Sequence, residues 1–210
     1  MSFPCFALFL SLLPFLPLQA QRLEPFGAES GKRESATGVR RQPYEKVFHY
    51  FEWVEEDNIF LSRKNDKDLY TAYFFVPDSL QELGVRVLSP VPELISPNKG
   101  HFATEAYQER GATQSQGFDP VVRISRAERR TPPEKWLLLA ENDNNTEMPV
   151  SSSSILRLLS GQNVDKLPPG LYKIEVFAAQ KQGLRGAFLL QLGSIPPLSD
   201  LQFSNTPSSK

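Results

Sequence analysis

His49 and His101 are the only histidines in a chain of 210 residues, and Cys5 is its only cysteine. A nucleophilic triad needs a serine or cysteine held beside a histidine and a carboxylate. A Cys/His metal centre needs three or four such ligands. So small a supply leaves little room for either. His49 lies in the aromatic run VFHYFEWV at 47–54, where an imidazole packed as a structural group is expected. The serine run at 151–154 lacks the Gly-x-Ser-x-Gly turn that exposes a nucleophile. Carboxylates cluster at Glu55, Glu56 and Asp57 and again at Glu141 and Asp143. A glycosidase needs two carboxyls across a cleft, one of them in an apolar pocket, and both clusters sit in polar, turn-like sequence. Neither Gly-x-Gly-x-x-Gly nor Gly-Lys-Ser/Thr occurs, so no phosphate-cradling loop is expected. An enzyme is not expected.

Binding chemistry is better supplied. The run ENDNN at 141–145 concentrates carboxylate, amide and backbone oxygens, which are the ligands of a hard cation. Asp119, Glu141, Asp143 and Asn145 are the calcium candidates. Asn and Asp also bond their own backbone in plain turns. The expected reading is therefore a turn without metal or cofactor, with calcium left open. Aromatic residues make up 11% of the chain, and those of 47–54 occupy both strand parities. Core packing is the expected reading for most of them, and Tyr50 and Trp53 are the candidates for a surface that could hold protein or carbohydrate. Arg40 and Arg41 could meet an acidic partner. With 23 basic against 24 acidic residues and a net charge of -1, a nucleic-acid binder is not expected.

The elements that must position these residues begin after a targeting segment. Residues 3–18, FPCFALFLSLLPFLPL, are apolar, uncharged and interrupted by Pro4, Pro14 and Pro17. A membrane span needs roughly 20 apolar residues. A signal peptide over 1–20, cleaved after Ala20, is the expected reading. Cys5 precedes the apolar core, which is not where a lipid-modified cysteine stands at a cleavage site. Residues 21–45 read as a polar, flexible leader. Segments 69–76, 84–88, 121–124, 136–140, 154–159, 171–177 and 187–192 read as short strands bounded by turn residues. Residues 47–54 read as a strand or a short amphipathic element. In 171–177, Tyr172, Ile174 and Val176 should face inward, with Lys173 and Glu175 outward. A long loop runs from about 89 to 116, and the tail 194–210 should fray. The pattern predicts an all-β, antiparallel, jelly-roll-like β-sandwich over 46–193, with long inserted loops and flexible termini.

The order GFDPVVRI, WLLLAENDNN, SSILRLL, LPPGLYKIEVFA and GAFLLQLG resembles the bacterial pre-peptidase C-terminal domain over 117–192. That resemblance implies a small jelly-roll-like module of exported proteins, some relatives of which bind calcium. The function expected is a non-enzymatic binding or structural component, located in the periplasm or outside the cell. Its partner would be another protein of the envelope or of a surface assembly, for instance a filament coat or sheath. A carbohydrate- or matrix-binding module, possibly calcium-assisted, is the alternative. No membrane span is expected once the signal is removed.

Overall fold

The computed structural model describes residues 26–207, apart from 37, 56–57, 59, 65–66, 92–94, 112–115, 129–134, 143–151 and 180–182. Twelve strands are present among the described residues, in chain order β1 (Gly27–Ser35), β2 (Gly38–Pro43), β3 (Val47–Val54), β4 (Leu61–Lys64), β5 (Lys67–Val76), β6 (Glu82–Ser89), β7 (Phe102–Ala103), β8 (Pro120–Ala127), β9 (Trp136–Asn142), β10 (Ser152–Leu159), β11 (Gly170–Ala178) and β12 (Gly186–Ile195). One five-stranded sheet runs β10-β6-β12-β3-β7 and the other β4-β5-β11-β8-β9. Set aside the short strands β4 and β7, and four strands remain in each sheet. The chain crosses between sheets from β3 to β5, β6 and β8, stays for β9, and crosses again through β10, β11 and β12. That is the eight-stranded jelly roll, as the sequence predicts. All the pairings among those eight strands are antiparallel.

Alternating residues build the space between the sheets. Tyr172, Ile174 and Val176 of β11 and Phe188, Leu190 and Leu192 of β12 all lie in the central core. Lys173 and Glu175 point to the opposite face, where they pair with each other at 2.9 Å.

The sheet containing β6 and β12 is covered on its outer face too, and sequence reasoning did not anticipate this third layer. One cover is the N-terminal hairpin. Residues 21–45, read as a flexible leader, instead include β1 and β2 in an antiparallel pair with Ser35 opposite Gly38. Phe26, Ala28 and Tyr44 at its root pack on Ile155. A side chain at Gly84 or Gly193 would collide with the Tyr44 ring, since an added Cβ would stand 2.3 and 2.4 Å from its atoms. These two glycines are where the sheet lets the hairpin approach. Arg86, outward by alternation, is buried here: its Nε donates to Gln191 Oε1 at 2.6 Å and its guanidinium lies 5.0 Å from the Phe26 ring centre.

The second cover comes from the long loop. β7 runs parallel to β3, and a single π-helical turn, Tyr107–Gly111, follows it. Tyr107 seals an apolar cluster with Phe51, Trp53, Leu88, Ala187 and Leu189. The C-terminal segment, expected to fray, also takes part. Ser204 exchanges backbone bonds with Tyr73 at 2.9 and 3.0 Å, and Phe203 packs against Tyr50 and Phe74.

Candidate functional site

Three polar features could carry chemistry, and they sit in different places. The first is a carboxylate inside the sandwich. Glu52 lies on the inner face of β3 and is 1% exposed. Its Oε2 accepts bonds from the hydroxyls of Tyr50 and Tyr70, each at 3.1 Å. Its Oε1 accepts from Thr104 Oγ1 at 2.8 Å and from the Trp53 backbone at 3.0 Å. Thr104 belongs to the loop that follows β7, so this carboxylate ties the loop to both sheets. Burial raises the Glu52 pKa, and the four donors only partly oppose it. A raised carboxyl in an apolar setting is what a general acid needs, but this one is closed off and its oxygens are engaged. Its role is structural.

A pH dependence follows. The folded-state pKa of Glu52 lies above the ordinary 4.5, so the folded protein holds that proton more tightly than the unfolded chain. The resulting stability is full below pH about 4.5 and is lost as pH rises through the folded pKa. Glu52→Gln removes this group, while its oxygen and amide can still meet the rotatable hydroxyls around it. The variant is expected to match or exceed the parent at neutral pH and to lose less stability on the way up from pH about 4.5. Thermal melts of both proteins across that range check this; parallel curves would show that burial of Glu52 does not govern its protonation.

The second feature is the imidazole pair. His49 and His101 stack with ring centres 4.1 Å apart, and His49 Nδ1 lies 3.2 Å from the Val47 carbonyl. Burial lowers the His49 pKa to about 4, with His101 and Arg86 acting in the same sense. His49 is thus a neutral packing group near pH 7, as its place in an aromatic strand implies.

The third is the calcium set. Asp119 precedes β8, and its backbone carbonyl accepts the Ala179 amide at 2.8 Å. Glu141 is engaged by Arg123, whose Nε donates to Oε2 at 2.6 Å. Asp143 and Asn145 lie outside the described residues, as do Glu56 and Asp57. Among the described residues no three carboxylate, histidine or cysteine side chains gather as a metal site.

The expected interaction residues separate. Tyr50 and Trp53 are buried, which corrects their placement on a binding surface. Both parities of β3 are covered, Tyr50 by the opposite sheet and Trp53 by the loop over 89–116. Tandem aromatics signal two buried faces as readily as one exposed face, and the covering layer was not legible. Arg40 is exposed on β2. Arg41 is half-buried, with Nε donating to Glu29 at 2.9 Å.

Sequence reasoning missed an accessible apolar surface on β9. This strand ends its sheet, pairing with β8 on one side. Leu137 and Leu138 are 43% and 52% exposed. A register shift between Ile124 and Ser125 inserts Leu139 as a bulge, so the run WLLLA does not simply alternate inward and outward. Trp136 is held by Tyr73, with ring centres 5.5 Å apart, and by Lys173 Nζ at 4.8 Å from its ring. At the other end, Asn142 Nδ2 donates to the Ile155 carbonyl at 2.6 Å, tying the strand to β10. β9 is therefore a fixed edge, not a loose one. The only signal in the sequence is the absence of charge from Trp136 to Ala140, which read as burial.

A family profile described as surface lipoprotein of the Spirochaetales order matches residues 39–202. The chain belongs to that family. A search of curated proteins returns no match. The family places the chain among exported proteins of the cell surface. It also overturns the resemblance to a pre-peptidase C-terminal domain. That resemblance rested on 117–192, whereas the profile begins in β2 and takes in every strand of both sheets from β3 onward. Short alternating strands with Pro-Gly turns recur in β-sandwiches of many families, so their order fixed the architecture and not the lineage. Cys5 and the targeting segment lie outside the described residues.

Proposed function

We propose that this protein is a non-enzymatic surface module that binds another protein of the cell envelope or of a surface assembly by adding a strand to β9. The observation that supports this is the exposed apolar edge at Leu137 and Leu138. An edge strand presents unpaired backbone donors and acceptors, and natural sheets usually blunt it with charge, proline or a covering element. Among the described residues β9 has no second partner strand, and from Trp136 to Ala140 it carries neither charge nor proline. Main-chain pairing would give affinity, and the two leucines would give side-chain specificity. A coat or sheath around a filament is one assembly of this kind. The aromatics named as candidates for a carbohydrate surface, Tyr50 and Trp53, are buried, which favours the β9 edge as the binding surface.

A photo-crosslinking residue placed at Leu138 in the native envelope is expected to give one discrete adduct. The same residue at exposed Gln162, on the turn after β10, should not. Adding Leu137→Lys should remove the Leu138 adduct while leaving the melting temperature within a degree or so, as surface substitutions usually do. Identical products from both positions, or none from Leu138, would sink the edge-pairing reading.

A further inference from the structure

The β1–β2 hairpin places Arg33 directly opposite Arg40. Opposed residues of an antiparallel pair share one face, with Cβ atoms about 5 Å apart, and like charges so placed are destabilising. Glu29, the carboxylate at the hairpin's root, is engaged by Lys32 and Arg41, each at 2.9 Å, which together hold its pKa down against burial. Glu34 pairs in register with Val39, and so belongs to the opposite face. Among the described residues no carboxylate forms an ion pair with Arg33 or Arg40. Both are exposed, although the hairpin that carries them is pinned at its root to the sandwich by Glu82. Among the described residues this face of the hairpin thus presents two neighbouring arginines with no carboxylate paired to either.

We propose that the Arg33–Arg40 face of this hairpin docks on the phosphate headgroups of an anionic lipid membrane. Guanidinium is the side chain whose planar fork matches phosphate oxygens bidentately, and two of them at this spacing suit the closely set phosphates of a headgroup layer. The family points to the same partner, since a surface lipoprotein works beside a lipid layer. A two-stranded ribbon lying flat brings both arginines to the phosphate plane at once. The inference is independent of strand addition at β9, which uses a different part of the molecule.

The test is flotation of the protein beginning at Gln21, purified without any acyl chain, with vesicles of phosphatidylcholine alone and of phosphatidylcholine mixed with phosphatidylglycerol. Binding is expected to the mixed vesicles only and should fall with added salt. Arg33→Gln with Arg40→Gln should lower partitioning roughly thirty-fold, the loss of two basic residues near a charged surface. The melting temperature should hold or rise, because a like-charge pair is relieved; this separates a docking role from a structural one. Leu138→Lys should partition like the parent, so failure at β9 and failure here are distinguishable. Equal binding to neutral vesicles, or full retention by the double variant, would overturn the proposal. So would a parent that ignores both vesicles and is captured through these arginines by an acidic envelope protein.

Discussion

Glu82→Gln is expected to release the N-terminal hairpin while leaving the jelly roll folded. The Glu82 carboxylate is almost fully enclosed and takes four bonds from the hairpin. Oε1 accepts from the Glu29 amide at 2.6 Å and from the Tyr44 hydroxyl at 2.6 Å. Oε2 accepts from the Ser30 amide at 3.0 Å and from the Ser30 hydroxyl at 2.7 Å. The two amides fall within the register shift of β1 between Ala28 and Arg33, where the ladder to β2 is interrupted and the N–H groups need another acceptor. Whichever way a glutamine amide turns, its NH2 group meets one of those backbone N–H groups, which cannot become an acceptor. Hydrogen bonds to a charged group contribute about 1.5–3 kcal/mol each, and an orphaned buried donor adds its own desolvation cost. A combined loss of about 3–5 kcal/mol is comparable with breaking a buried charged pair. It rivals what the packing of Phe26, Ala28 and Tyr44 with Ile155 and the bond from Arg157 Nε to the Gly27 carbonyl at 3.1 Å are expected to hold, so the hairpin should open far more often. Trypsin should then cut rapidly at Lys32, Arg33, Arg40 or Arg41, and the amides of Glu29 and Ser30 should lose hydrogen-exchange protection. Glu34→Gln, at an exposed position on the same hairpin, should do neither. Unchanged cleavage of Glu82→Gln would mean that apolar packing alone holds the hairpin.

The same residue shows why sequence reasoning reached the sandwich and not its covers. Alternation in LYKIEVF and AFLLQL encodes which side chains face the opposite sheet, and those strands appear where the pattern puts them. Alternation carries no information about what lies over the second face. Arg86 and Glu82 look like solvent-facing polar residues of β6, yet they are the buried anchors of the hairpin. The hairpin itself, GAESGKRES with GVRRQP, has almost no apolar residues to alternate. It holds through one carboxylate of a distant strand and through Tyr44 lying on Gly84 and Gly193. Contacts that depend on two glycines and a glutamate in two separate strands leave no local periodic trace. The β9 edge failed to show for the opposite reason. Its apolar run was plain, but strand position within a sheet is a tertiary property, and WLLLA reads alike at a centre and at an edge. Arg40 was legible as a candidate because nothing local neutralises it. Its pairing with Arg33 needed the register.

Ile174→Ala should be a strongly damaging truncation of the sandwich proper. Ile174 is 0% exposed at the middle of β11, which itself is the central strand of its sheet. Its register partners are Ala72 on β5 and Ile124 on β8, and the small Ala72 directly opposite cannot spread into the space it leaves. Removing its methyl and methylene groups costs their transfer free energy plus the cavity, together about 2–5 kcal/mol. Lys173, one residue earlier, contributes in a different way. Its Nζ bonds Glu175 Oε1 at 2.9 Å and lies 4.8 Å from the Trp136 ring centre, and Arg123 remains within 3.8 Å of Glu175 when the lysine is gone. The pair is largely enclosed, its side chains 12% and 9% exposed, but because Arg123 stays to face Glu175 the net loss should be only about 1–2 kcal/mol. Urea unfolding of the two alanine variants should therefore separate them by at least twofold in lost stability at unchanged m-value. If Lys173→Ala lost as much as Ile174→Ala, the outer face with Trp136 would be carrying energy that the register assigns to the core. β9 would then be held chiefly by that lysine and tryptophan, and the edge at Leu137 and Leu138 would be only as firm as their contact.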